Sequence, residues 1–163
     1  MIAKFQSVEV LKAIRSAAWS KNRTPRSRSR ESVRGAVIDA ILAVAERFGC
    51  TSSRDWSVAG VSDGVIFWGK VDVAWFDLDE YCAVAAFEVD RSCSARSLRN
   101  LVASRASLKV LVSYSTGPSK YKIPEGVLWL RLGLLKSRVL VRRSRRKGLK
   151  SFHDVAVEEH RET

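Results

Sequence analysis

Glu88 and Asp90 stand two residues apart in Ala86-Phe87-Glu88-Val89-Asp90, and Asp72 lies inside Val71-Asp72-Val73-Ala74-Trp75. Both runs are apolar and β-prone. Asp77-Leu78-Asp79-Glu80-Tyr81 between them is polar and turn-forming, so the stretch reads as a β-hairpin. Residues two apart on a strand share a face. Glu88 and Asp90 therefore project together, and Asp72 can join them from the neighbouring strand. Ionised carboxylates on a mostly buried sheet are costly unless paired or bound to a metal. Three acids at one spot repel each other, and a hard divalent cation with oxygen ligands is the simplest resolution. The plainer alternative is a solvated strand face, with the acids paired to Arg91 or Arg96.

The elements that must position these acids follow from periodicity. Val10, Leu11, Ile14 and Ala18 predict a short helix over 8–20. Val33, Val37, Ala40, Ile41, Val44 and Phe48 predict a longer one over 31–48, widened by Ile38 and Leu42, with Gly49 as its C-cap. Residues 55–60 and 62–64 read as loop or short strand. The first long strand is expected from Val65 through Asp72 to Trp75. Lys70 shares a face with Asp72, so its ammonium either aligns water and phosphate there or is an ordinary strand-edge lysine. After Asp90, Ser92 or Ser94 can cap a helix running to about Ala106, with Leu98, Leu101 and Val102 as its apolar face. Arg96, Ser97, Arg99 and Asn100 bring polar groups close to the acids. Leu108–Tyr114 reads as a buried strand, parallel if the preceding helix crosses over. Residues 126–132 and 139–141 read as further strands.

Gly69-Lys70-Val71-Asp72-Val73-Ala74-Trp75, then Phe87-Glu88-Val89-Asp90, then a basic helix, resembles the PD-(D/E)XK nuclease superfamily of many restriction endonucleases and archaeal Holliday junction resolvases. The resemblance covers roughly residues 31 to 115. It implies an α/β fold with a restriction-endonuclease-like α-β-β-β-α-β core, a central mixed sheet flanked by helices. It implies cleavage of phosphodiester bonds dependent on Mg²⁺ or Mn²⁺, with Asp72, Glu88 and Asp90 as catalytic metal ligands. Position 90 is Asp where the commonest pattern has Lys, which makes Lys70 a candidate replacement. The first core helix of such nucleases often adds an acid, for which Asp39 is nearest and Glu31 second, beside the plainer reading of solvent-facing acids. Many such nucleases act as dimers, so a homodimer is compatible with the resemblance.

The chain has 163 residues and a net charge of +12. Its length fits one domain, with a basic helix and loop over 1–30, a core over 31–135, and an extension over 136–163 that is basic and then acidic. Eight Lys or Arg fall in 1–30 and eight in 136–150, while 31–135 balances twelve cations against twelve anions. Arg23, Arg26, Arg28, Arg30, Arg96, Arg99, Arg142, Arg143, Arg145 and Arg146 are the candidate nucleic-acid contacts, since concentrated Arg and Lys mark phosphate binding. The partner is expected to be nucleic acid, chiefly DNA. No apolar run approaches a membrane span, and Cys50, Cys82 and Cys93 show no metal-ligand spacing. Both observations suit an intracellular, cytoplasmic protein with reduced thiols. No GxxxxGK[ST] or HExxH occurs, which argues against nucleotide hydrolysis and zinc chemistry. A second class of function is a catalytically inactive nucleic-acid-binding protein on the same fold.

Overall fold

The computed structural model describes residues 6–22, 29–78 and 83–135. Arg23, Arg26, Arg28, Cys82, the 139–141 strand and the basic 136–150 run with Arg142, Arg143, Arg145 and Arg146 lie outside the described residues.

Helices α1 (Ser7–Lys21) and α2 (Arg30–Ala45) come first, and a 3-10 turn at Glu46–Phe48 ends the second. Ser29 caps α2 by accepting a hydrogen bond from the Ser32 amide at 3.1 Å. Gly49 closes the turn at φ +68, where a side chain would be strained. Strands β1 (Cys50–Ser62), β2 (Val65–Asp77) and β3 (Ala83–Asp90) follow, then α3 (Ala95–Ala103), β4 (Leu108–Ser115) and β5 (Val127–Leu135). The five strands form one mixed sheet in the order β1-β2-β3-β4-β5. β1, β2 and β3 are antiparallel neighbours, and β3, β4 and β5 are parallel.

The helices cover both faces. Val10, Ile14, Val37 and Ile41 of α1 and α2 pack on Trp75, Phe87 and Val110. Leu98 and Leu101 of α3 pack on Val71, Ala74, Ala86 and Leu111 on the opposite side. The apolar stripe read along 31–48 is the buried side of α2. Amphipathic helices on both sides give three layers, α/β in class. Among the described residues, no helix is long and apolar enough to cross a membrane. Cys50 and Cys93 are buried and free.

Two elements differ from expectation. Residues 55–62, expected as loop or short strand, belong to a 13-residue strand, and 63–64 to the turn that follows it. Asp63 and Gly64, at φ 52 and 78, make a two-residue hairpin that pairs Ser62 with Val65. Helix α3 stops at Ala103, short of Ala106, because Arg105 takes φ 55.

Candidate metal and nucleic-acid site

The site forms where β2 and β3 part. Their pairing runs from Phe76↔Ala83 to Val73↔Phe87 and goes no further. On the other side of β2, the β1 ladder skips one position, between Arg54↔Val73 and Trp56↔Val71. The skipped residues are Asp72 and Asp55, and Asp55 has φ 50. Freed from the ladder, the Asp72 carboxylate takes over a backbone role and accepts the Val89 amide at 2.7 Å. Asp72 is 7% exposed and Glu88 6%. Such burial rules out the solvated-face reading for both.

Each acid has a dedicated partner. Arg34, on the second turn of α2, ion-pairs with Asp72 through its terminal nitrogen. Its Nε donates to the Val89 carbonyl at 3.1 Å. Asn100 of α3 donates from Nδ2 to Glu88 Oε1 at 2.8 Å and to the Lys70 carbonyl at 2.9 Å. That approach requires Gly69, because a Cβ there would fall inside the Asn100 side-chain amide. Asp90 accepts from Ser97 Oγ at 3.1 Å and from the Arg91 amide at 2.7 Å. Ser94, which caps α3, binds the same Ser97 hydroxyl at 2.9 Å.

Burial, and then the negative charge of Asp72, push the Glu88 carboxyl up to about 8; the Asn100 hydrogen bond and Arg34 pull weakly the other way. At neutral pH Glu88 therefore keeps a proton, hydrogen-bonded to Asp72. Burial, followed by the charge of Asp90, raises the Tyr114 hydroxyl as well.

A cleft of about 250 Å³ opens over these groups, lined by Asp72, Glu88, Asp90, Lys70, Arg34 and Arg96 among others. It is smaller than the roughly 300 Å³ lower limit for pockets that enclose a whole small ligand. It suits one charged group of a longer molecule. The donors offered are all oxygens, the chemistry of a hard divalent cation, and such a cation would take the place of the proton held between Asp72 and Glu88. Those two residues fit a metal. Among the described residues, however, no three His, Cys, Asp or Glu side chains gather into a metal-holding group. Asp90 lines the cleft but spends its carboxylate on Ser97 and Arg91.

The other expected residues divide. Lys70 and Arg96 line the cleft. Arg99 lies over the Phe67 ring at 4.8 Å. Arg30 opens α2 and is exposed. Asp39 pairs with Arg54 at the surface and does not line the cleft, and Glu31 is exposed. Arg34 is the residue that sequence reasoning misses. Its one signal is a long cation beside Val33 at the edge of an apolar stripe. No protein-family model, no curated protein and no solved structure matches the chain.

Proposed function

We propose that the chain is a metal-dependent nuclease of the PD-(D/E)XK kind that hydrolyses phosphodiester bonds in DNA inside the cell. The observation that carries this reading is the pair of buried carboxylates, Asp72 and Glu88, placed side by side under a rim of Arg34, Lys70 and Arg96. A phosphate is the group that suits such a rim. The order α2-β1-β2-β3-α3-β4 supports it, since it follows the α-β-β-β-α-β order implied by the resemblance.

Mg²⁺ or Mn²⁺ held by Asp72 and Glu88, with Asp90 as a further oxygen donor, would supply an activated water and offset charge on the phosphate. The protein groups do the rest. Asn100 fixes the Glu88 carboxylate, and the Val89 amide fixes that of Asp72. Arg96 presents a forked donor for phosphate oxygens, while Arg34, its fork engaged by Asp72 and the Val89 carbonyl, holds Asp72 in place. Lys70 supplies a cation on the cleft wall, the charge that the commonest motif would place at position 90. The basic segments at both ends of the sequence hold the backbone electrostatically.

One observation favours a second reading, a nucleic-acid-binding protein that does not cut: Asp90 is engaged by Ser97 and the Arg91 amide rather than gathered with the other two acids. Incubation of labelled duplex, branched and single-stranded DNA with Mg²⁺ or Mn²⁺ separates the two. Cleavage that is lost in Asp72→Asn supports the nuclease. Binding without cleavage in either metal supports the alternative.

A further inference from the structure

Past Val73, β2 leaves β3 and continues with β1 as a two-stranded arm that ends at the Asp63-Gly64 turn. The arm has two unlike faces. Trp56, Val58, Phe67, Gly69 and Val71 lie on the one covered by α3. There a Cβ on Gly60 would meet the Phe67 ring at 2.9 Å and Ala103 at 3.0 Å. Ala59, Val61, Ile66, Trp68 and Lys70 lie on the other, and all are exposed. Trp68 is 81% exposed, and Val61 and Ile66 are each 69% exposed. Lys70 is two residues from Trp68 on the same face and lines the acid cleft. The open apolar face therefore runs directly into the site. At about 3.3 Å per residue, Trp68 lies roughly 13 Å along the strand from Asp72.

Size and charge select the occupant. Covering Trp68 would bury about 200 Å², and Val61 and Ile66 about 60–120 Å² each. The total falls short of the roughly 800 Å² per partner that a stable protein interface buries. One indole face does match the flat π-surface of one base. The cations that follow it, Lys70 and then Arg34 and Arg96 in the cleft, match a phosphate backbone in sign.

We propose that Trp68 is a stacking platform for an unpaired base, and that the strand carrying this base enters the cleft past Lys70. The inference rests on the nucleic-acid reading of the cleft and names its substrate class: DNA with a single-stranded segment, alone or at a branch, in preference to continuous duplex. Base–aromatic stacking is sequence-tolerant, and truncating such a platform weakens binding roughly 5- to 150-fold.

The test is fluorescence anisotropy of the full chain with labelled single-stranded, forked and blunt duplex DNA, in a metal chelator so that nothing is cut. The expected result is tighter binding of the first two, a roughly 5- to 150-fold loss for them in Trp68→Ala, unchanged duplex affinity, and retention of most affinity in Trp68→Phe. Equal losses on all three substrates, or none, overturn the proposal. So does sedimentation showing that Trp68→Ala converts a dimer to a monomer, which would give the face to a second copy. Failure of the parent reading looks different, with no DNA bound by the unaltered protein at all. If the unaltered protein binds single strands through Trp68 but cuts nothing with metal, the stacking site stands and the nuclease falls.

Discussion

Replacing Glu88 with glutamine removes a proton that the fold takes up. The folded carboxyl holds its proton to about 8, against an ordinary value of 4.5. Between these values the folded chain carries a proton that the unfolded chain has lost. Stability must then fall as pH rises through that window, by up to about 1.4 kcal/mol per pH unit, with a ceiling near roughly 5 kcal/mol at pH 8. Below about pH 4.5 both states are protonated and the penalty vanishes. The introduced glutamine keeps an oxygen to accept from Asn100, and its amide can donate to Asp72 as the protonated carboxyl does. Urea unfolding followed by tryptophan fluorescence, in steps from about pH 4.5 to 8.5, should show the native protein losing stability relative to Glu88→Gln. By about pH 8 the variant should be the more stable by about 2 kcal/mol or more. Parallel pH curves for the two proteins would refute the assignment of the raised carboxyl to Glu88. Mg²⁺ should stabilise the native protein at this pH through ligand linkage, and should stabilise the variant much less.

Other perturbations separate the parts of the site. Gly69→Ala should displace Asn100 and cost about 1–3 kcal/mol through two lost hydrogen bonds, read as a lower thermal midpoint. Arg34→Ala should destabilise the fold by about 1–3 kcal/mol, because it leaves the buried Asp72 carboxylate short of its cation. Arg34→Lys should not restore this, since only a fork can span Asp72 and the Val89 carbonyl. Asp39→Ala breaks an exposed ion pair and should change chemical-denaturation stability by less than about 0.5 kcal/mol while leaving any cleavage intact.

Much of this arrangement is legible in the sequence because it depends on local period. The stripe from Val33 to Val44 can be buried only as a helix. The spacing of Asp72, Glu88 and Asp90 places them on adjoining strands, and Asp72 and Glu88 do meet, but the expected convergence of all three does not form among the described residues. β1 is not legible as a long strand, because Thr51-Ser52-Ser53-Arg54-Asp55 faces solvent and shows no apolar alternation. The Asp63-Gly64 pair between Ser62 and Val65 is the signal that could have found it, a strong hairpin marker. Asp90's partners cannot be read, because they depend on how α3 docks Ser97 over the strand end. For a helical acid the sequence points to Asp39. Five residues beyond Arg34, it lies about 140° further around α2. The residue that reaches the cleft is thus a cation, and its role depends on the placement of α2 on the sheet rather than on spacing.

The most direct measurement is cleavage itself: labelled duplex, forked and single-stranded DNA incubated with the full chain in Mg²⁺, in Mn²⁺ and in chelator, beside Asp72→Asn. The account predicts metal-dependent strand breaks by the unaltered protein. It predicts none from Asp72→Asn, which should still bind, and bind at least as tightly, because the charge opposing phosphate is gone. Intact DNA in both metals, on every substrate, with binding unimpaired, would contradict the nuclease and leave a nucleic-acid-binding protein.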